Sequence, residues 1–434
     1  MKDRLRADKP WVLLFWSIAA TFGTYFCMYM FRKPFTASAY EGETLGSFKF
    51  KTVIVTSQVL GYTLSKFLGI KIVSEINPQR RAWLILTLIS LSEISLILFG
   101  LTPTPYNLIF MFFNGLPLGM VFGLVIGFLE GRRMTEVMTA GLCVSFIVAG
   151  GLAKKVGKHL LDFGVQSHWM PAVAGILFLP VLIGFVWMLT QIPAPTSADE
   201  DARSQRVPLN REDRRAFFRS YSFGLTSIIL AFLLITVLRG IRDDFAPEIW
   251  KALGSDAKPD DFFFPDLIVG LGVLVTCGAT AFLRNNRGAF YCALGLSILG
   301  LVLVCFALIG IRAELLSPFS FMVVLGLGLY IPYVAVHTTL FERLIAMTRS
   351  KGNLCYLITL SDSFGYLGTV FLMLGKDFFN TGNFVKDFFD LIGWIVAIVG
   401  IVAFASAGIY FARVGSAFKE PQQDIAAQPM TQQV

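Results

Sequence analysis

Blocks of about 20 apolar residues, each long enough as a helix to cross the roughly 30 Å hydrocarbon core of a bilayer, recur along the 434-residue chain. Lipid offers the backbone no hydrogen-bond partners, so a helix bonded within itself is the element that can occupy this layer in an open-ended chain. The chain is 55% hydrophobic and only 15% charged, whereas soluble domains are about 25% charged. We therefore predict an all-α polytopic membrane protein.

Twelve such blocks occur, six before and six after a segment with 11 charges and three prolines. The predicted spans are 11–40, 51–74, 81–101, 105–130, 135–163, 169–190, 221–250, 264–283, 288–310, 318–343, 352–375 and 388–412. The expected units are an N-terminal six-helix bundle at 1–190, a cytoplasmic linker at 191–219, a C-terminal six-helix bundle at 220–415 and a cytoplasmic tail at 416–434. Two pseudo-symmetric six-helix bundles joined in this way resemble the major facilitator fold.

The distribution of Lys and Arg sets the expected orientation. With the N-terminus inside, 21 of the 37 basic residues lie in inner segments and seven in outer loops, as the positive-inside rule requires. We therefore expect a protein of the cell (inner) membrane with both termini cytoplasmic. The net charge of +8 follows from topology, and we expect no nucleic-acid partner because the sequence has no soluble domain to carry a basic patch.

The residue types needed for a metal, cofactor or catalytic site are sparse. The six cysteines have no CxxC spacing and there are three histidines, so we expect no zinc site and no disulfide framework. The sequence also shows no nucleophile beside a base. We therefore predict a non-enzyme without a cofactor, and we expect a monomer whose partners are the lipid bilayer and a small solute.

Cations inside the predicted spans are informative, because each costs roughly 2.5–3.5 kcal/mol on insertion scales. In the first span, Tyr25, Tyr29 and Arg32 stand at helical spacing, which places them on one face. In the second span, Tyr62 and Lys66 share a face for the same reason. These side chains are therefore candidates for a site between helices.

Arg239 lies in the first span of the second half, as Arg32 does in the first half, so pseudo-symmetry can bring the two face to face. Guanidinium groups bind phosphate or carboxylate through two parallel hydrogen bonds. Two arginines, a lysine and tyrosine hydroxyls aimed into one cavity would suit a phosphate-like dianion.

Structural interpretations of the same residues stay open. Arg32 could extend to the outer interface, and Asp243, one turn along, could neutralise Arg239. Asp362 is interpreted as a polar group at a helix contact, and Glu93 as a structural acid whose hydrogen bonds are satisfied.

At these residues the chain resembles the organophosphate:phosphate antiporters, the glycerol-3-phosphate and hexose-phosphate transporters. The run YFCMYMFRKPF resembles their tyrosine-rich first helix ending in Arg-Lys, and GYTLSKF before Asn77 and Pro78 resembles their second helix and the loop after it. Arg239, Asp244 and Pro247 resemble their seventh helix. The resemblance implies a phosphate clamped by Arg32 and Arg239, and a site lined by Lys66, Tyr25, Tyr29 and Tyr62.

The fifth span departs from the pattern of that family. The family's histidine falls on Ile147, and Lys154 follows seven residues later on the same face. We expect Lys154 to turn toward the cavity and to add positive charge there in place of the histidine.

The predicted function is a secondary transporter that moves a small anionic, phosphorylated metabolite by alternating access, and the resemblance implies exchange for inorganic phosphate. Two alternatives remain. A proton-coupled facilitator for sugars, carboxylates or drugs would need a titratable acid in the cavity, such as Asp362, Glu93 or Asp243. A transporter-like ligand sensor would bind the solute without carrying it.

Cysteine accessibility tests the predicted topology. In a cysteine-free background, Lys49→Cys is expected to react with a membrane-impermeant maleimide applied outside intact cells. Ser204→Cys is expected to react only after the membrane is permeabilised, because its linker is predicted to be cytoplasmic. Labelling of both positions from the same side would contradict the topology.

Overall fold

The protein's structure is a computed structural model, which describes residues 10–46, 48–129, 135–193, 211–280, 283, 285–348, 354–376 and 389–415. Before the linker, the helices are α1 Pro10–Met28, α2 Phe50–Glu75, α3 Arg81–Leu101, α4 Leu108–Leu118, α5 Val121–Ile126, α6 Thr135–Asp162 and α7 Met170–Thr190. From the end of the linker onward they are α8 Arg211–Ser220, α9 Ser222–Asp244, α10 Ala246–Ala252, α11 Pro259–Thr280, α12 Asn286–Arg312, α13 Pro318–Ala335, α14 Phe341–Thr348, α15 Leu354–Lys376 and α16 Asp390–Gly415. Two short antiparallel strands, β1 Thr44–Leu45 and β2 Phe48–Lys49, pair between α1 and α2.

Within the described residues, ten helical segments are long and apolar enough to cross a membrane. Large apolar side chains such as Trp83 and Val275, 74% and 72% exposed, cover their outer faces, as lipid contact requires. The two predicted spans outside this set are α2 and α15. Both are helices of the bundle, but α2 carries Lys51, Gln58 and Lys66, and α15 has a shorter apolar stretch, Leu357–Met373.

The first predicted span, 11–40, is wrong at its C-terminal end. The α-helix ends at Met28, a 3₁₀ turn follows at Tyr29–Phe31, and a second begins at Pro34. Pro34 has no N–H to donate to the carbonyl of Met30, so the α-helical hydrogen-bond pattern cannot continue through it. Arg32 therefore lies at a break in the helix rather than on a continuous helical face.

Two helices approach closely where the glycines of the fourth span face α2. A Cβ added at Gly115 would lie 2.1 Å from the carbonyl oxygen of Gln58, and one added at Gly61 would lie 2.1 Å from that of Phe112. Small residues allow such approach between membrane helices. The span itself divides into α4 and α5 just after Pro117.

The helices of each half pack mainly on one another: α1 contacts α6 and α7, and α9 contacts α15 and α16. The two halves meet along α6 with α11 and along α2 with α15. Residues on α2, α6, α11 and α15, together with the helix break after α1 and the end of α9, can therefore meet at the centre of the protein.

Replacing Gly115 with alanine tests the close packing of α4 on α2. Because the new methyl group would overlap a backbone carbonyl, Gly115→Ala is expected to lower the free energy of unfolding by about 1–3 kcal/mol. Gly184→Ala on α7 is the matched control, since a Cβ there meets nothing within 4 Å. Thermal unfolding in detergent measures both, and equal effects would contradict the packing described.

Candidate functional site

Arg32 is buried at the helix break, with 4% of its surface exposed. Its guanidinium carbon lies 3.8 Å from the centre of the Tyr62 ring and 5.7 Å from that of Tyr29. Within the described part of the chain, Arg32 has no carboxylate within 4 Å, and its Nε has no hydrogen-bond partner. Arg32 does not extend to the outer interface. Its guanidinium is stabilised by the faces of aromatic rings and remains able to bind a ligand.

Two buried amides hold the backbone at this break. Gln58 Nε2 donates to the Arg32 carbonyl at 3.0 Å and to Asn114 Oδ1 at 2.6 Å. Asn114 Nδ2 in turn donates to the Phe31 carbonyl at 2.9 Å and to Ser92 Oγ at 2.6 Å. Since the broken helix leaves these carbonyls without α-helical partners, the amides of α2 and α4 satisfy them and fix the direction of the Arg32 side chain.

Arg239 of α9 occupies the equivalent position in the second half. Its guanidinium carbon lies 4.3 Å from the centre of the Tyr333 ring. The predicted neutralising acid, Asp243, is 3.7 Å away, longer than a charge-assisted hydrogen bond, and the Arg239 Nε has no partner among the described residues. Asp243 also accepts from the hydroxyl of Tyr330 at 3.0 Å, so Arg239 is only partly neutralised.

Both arginines line one narrow cavity between the halves, together with Tyr29, Tyr366 and Asp243. Its volume of about 10 Å³ has room for about one water molecule, so the halves are closed around the site. Tyr366, which the sequence analysis did not select, lies 5.9 Å from Arg32. The sequence feature that could have identified Tyr366 is its position one helical turn after Asp362 on α15.

The other predicted tyrosines surround Arg32. The Tyr25 ring packs at 5.6 Å on that of Tyr29, behind the cavity. The Tyr62 ring packs at 5.0 Å on that of Tyr366, and joins the two halves directly beside the Arg32 guanidinium.

Lys66 lies one aromatic ring away from Arg32. Its ammonium is 5.4 Å from the centre of the Tyr62 ring and 3.0 Å from Asp362 Oδ2. Asp362 is thus a polar group at a helix contact, since the ion pair joins α2 to α15. Lys66 therefore lies near the cavity, and its charge is balanced by Asp362 when the halves are closed.

Lys154 points into the interior but does not line the cavity. Its ammonium lies 3.7 Å from both Asp243 and Asp266, and Arg242 donates to the same Asp266 at 2.8 Å. The charge of Lys154 is therefore shared with acids of the second half. Its contribution to anion binding stays a prediction.

Glu93 does not fit its interpretation from the sequence as a structural acid whose hydrogen bonds are satisfied. It is buried on α3 close to Gly175 and Phe31, and neither carboxyl oxygen has a hydrogen-bond partner within the described residues. An isolated buried carboxylate is costly, so the neutral acid is the form that fits this packing.

Ion pairs join the halves at the end where α1 connects to α2 and α9 to α11. Lys33 pairs with Asp244, Lys51 with Glu248 at 2.8 Å, and Lys155 with Asp260 at 2.5 Å. At the surface, the Lys251 ammonium bonds Glu41 at 2.7 Å; this bond lowers the pKa of the Glu41 carboxyl and raises the pKa of the Lys251 ammonium. The exposed pair contributes little to stability, whereas the buried Lys33–Asp244 pair and the partly buried Lys51–Glu248 pair hold this end closed.

The family described as "Family of unknown function (DUF5690)" matches residues 34–414 of the chain. No curated protein matches it.

Solved structures of transporters share its fold. A D-xylose-proton symporter matches with a TM-score of 0.62 and 12% identity, over 91% of this chain and 96% of that one. The POT family transporter PepTSo matches with a TM-score of 0.60 and 13% identity, over 95% and 100%. A bacterial homologue of the human lysosomal transporter Spinster matches with a TM-score of 0.57 and 13% identity, over 95% and 96%. The predicted major facilitator fold is confirmed, and the chain is an integral membrane protein.

Replacing Asn114 with leucine tests the amide support of Arg32. The change removes the donor to the Phe31 carbonyl, and an unpaired buried carbonyl costs about 1–3 kcal/mol. Asn107→Leu is the matched control, because Asn107 is buried at the start of the same helix and its side-chain amide has no partner within the described residues. Chemical unfolding in detergent is expected to show the larger loss for Asn114→Leu, and the reverse order would contradict this role.

Proposed function

This chain belongs to the DUF5690 family, and we propose that it moves a small anionic, phosphorylated metabolite across the membrane by alternating access. The observation that carries the proposal is the pair Arg32 and Arg239, one from each half, on a single buried cavity. Among the described residues, one guanidinium has no carboxylate partner and the other has only a distant one.

The buried charges around the cavity favour a ligand with two negative charges. The cations are Arg32, Lys33, Lys66, Lys154, Arg239 and Arg242, and the acids that pair with them are Asp243, Asp244, Asp266 and Asp362. The described cluster therefore has two more cations than acids, with Glu93 neutral. A phosphate dianion placed between the arginines would offset this excess.

The chemistry of the two cations favours phosphate over a halide or a single carboxylate. Each guanidinium lies against tyrosine rings, which leave its N–H edge free to donate two parallel hydrogen bonds. A tetrahedral phosphate has enough oxygens to accept such pairs from both sides. The cavity must widen to admit it, as expected of a carrier that alternates between closed and open states.

Alternating access is consistent with how the halves are joined. In this fold the two halves rock about a site near the membrane midplane. Here the ion pairs at one end, between Lys33 and Asp244 and between Lys51 and Glu248, can break while contacts elsewhere persist. The solved relatives are described as a symporter and as transporters, which supports carriage of a small solute.

Exchange for inorganic phosphate follows from the same electrostatics. Among the described residues, Arg32 has no carboxylate partner and Arg239 is only partly neutralised by Asp243, so the two guanidinium groups repel each other and a bridging anion relieves that repulsion. A site that has released one anion favours another before it reorients. We also propose that the carrier acts as a monomer in the inner membrane, with both termini in the cytoplasm.

Arginine-to-lysine substitutions test the clamp. We expect Arg32→Lys to weaken phosphate binding nearly as much as Arg32→Ala, because an ammonium cannot donate two parallel bonds from a planar group. A charged hydrogen-bonded contact is worth about 1.5–3 kcal/mol, so affinity should fall by about tenfold or more. The same result is expected at Arg239.

Titration of purified protein with inorganic phosphate and glycerol 3-phosphate measures these affinities. Arg312→Ala is the control, since Arg312 pairs with Asp390 at the surface away from the cavity. Full affinity in Arg32→Ala would show that the anion is held elsewhere.

A further inference from the structure

A second buried cluster, formed by Lys66, Asp362 and His337, lies beside the anion cavity without lining it. His337 is on a π-helical turn, Val336–Leu340, that interrupts the helix running from α13 to α14. Such turns are rare and occur frequently at functional sites. His337 and Asp362 are almost completely buried, with 5% and 3% exposed.

The hydrogen bonds of the imidazole define its protons. His337 Nδ1 lies 2.9 Å from the carbonyl oxygen of Tyr333, which can only accept, so Nδ1 carries a hydrogen. His337 Nε2 lies 3.2 Å from Asp362 Oδ1. An unprotonated Nε2 and a carboxylate would face each other with lone pairs. The contact therefore requires one further proton, held between His337 and Asp362.

Asp362 connects this proton to the first half of the protein. Its second oxygen, Oδ2, accepts from the Lys66 ammonium at 3.0 Å. The carboxylate thus lies between the imidazole of the π-helical turn and the ammonium of Lys66 on α2. The triad as a whole carries one positive charge when protonated and none when the proton has left.

The triad touches the anion site through two tyrosines. The Tyr62 ring lies under both Lys66, at 5.4 Å, and Arg32, at 3.8 Å. The Tyr333 ring lies 4.3 Å from Arg239 and 4.6 Å from the imidazole of His337. Charge placed between the arginines therefore acts on both ends of the triad across a single aromatic ring.

Among the described residues, the other groups near the imidazole include no second acid that could share this proton in place of Asp362. α9 presents the Phe232 ring at 5.1 Å. α6 and α11 also pack against the π-helical turn, and the buried thiol of Cys277 on α11 donates to the Ile331 carbonyl. Among the described residues, the charged groups that face His337 are therefore Asp362 and, behind it, Lys66, with Arg239 beyond Tyr333.

We propose that His337 and Asp362 form a proton-binding site that couples proton movement to anion movement in the same direction. The proposal rests on the anion carrier proposed above. An anion between the arginines attracts Lys66 away from Asp362, and the carboxylate then holds the shared proton more tightly. By linkage, the bound proton strengthens anion binding by the same factor. A carrier that turns with both bound can accumulate the anion against its gradient, while anion exchange needs no net proton movement.

Proteoliposomes with the purified full chain separate the two activities. Counterflow of labelled phosphate at equal pH measures exchange, and uptake driven by an acidic exterior measures proton coupling. Wild type is expected to show both. His337→Gln keeps a donor to Asp362 but cannot carry the proton, so it is expected to retain counterflow and to lose proton-driven accumulation by about tenfold or more. His159→Gln, an exposed histidine at the end of α6, is the matched control and should behave as wild type.

Every other outcome overturns either the proton site or the anion carrier. Wild type that exchanges phosphate but ignores the proton gradient overturns the proton site without any variant. Equal proton-driven accumulation in His337→Gln and wild type also overturns it, as does loss of counterflow in that variant, which would assign His337 to anion binding or to the fold. Absence of counterflow with phosphate and with glycerol 3-phosphate in wild type overturns the anion carrier itself, and the coupling with it.

Discussion

The arrangement at the centre of this protein depends on a guanidinium, that of Arg32, which is buried without a counter-ion among the residues that the structure describes. An unpaired charge inside a protein of low dielectric is costly unless polar or aromatic groups surround it. Arg32 is tolerated because Tyr62 and Tyr29 present their ring faces to it, and because the acids nearby are already engaged by other cations. The site is left with a positive charge that a ligand, rather than the protein, is positioned to neutralise.

The position of that guanidinium is set by a break in the backbone. The α-helix ends at Met28, and the carbonyls of Phe31 and Arg32 beyond it are satisfied by Asn114 and Gln58. The close approach of α2 and α4 at Gly115 brings those amides within reach. A packing feature of two helices thus determines the direction of a side chain on a third segment.

Much of this could be predicted from the sequence, because apolar block length and the distribution of basic residues follow directly from the physics of the bilayer. The pairing of Arg32 with Arg239 followed from equivalent positions in the two halves. The end of the α-helix at Met28 was missed because hydropathy continues unchanged through Tyr29–Phe31, which form a 3₁₀ turn. Tyr366 and His337 were not selected, since it is the tertiary structure that shows Tyr366 lining the cavity and His337 packed beside Asp362 and Tyr333. Lys154 was expected to line the cavity, but the acids that engage it lie on helices far away in the chain.

Two consequences follow for the whole molecule. The first half supplies most of the cations at the interface and the second half most of the acids. Closing one end of the protein therefore brings opposite charges together. The cavity between Arg32 and Arg239 and the Lys66–Asp362–His337 cluster contact the same aromatic rings, so a change of charge in one changes the electrostatic field at the other.

The most direct test of the account is a double-mutant cycle on glycerol 3-phosphate binding with Arg32→Ala, Arg239→Ala and the combined variant. If one phosphate bridges both guanidinium groups, the two losses are coupled, and the second substitution costs far less binding free energy than the first. A coupling energy of about 0.5–3 kcal/mol is then expected, as for residues that share one interaction network. Losses that add independently, or unchanged affinity in the combined variant, would contradict a clamp formed by Arg32 and Arg239.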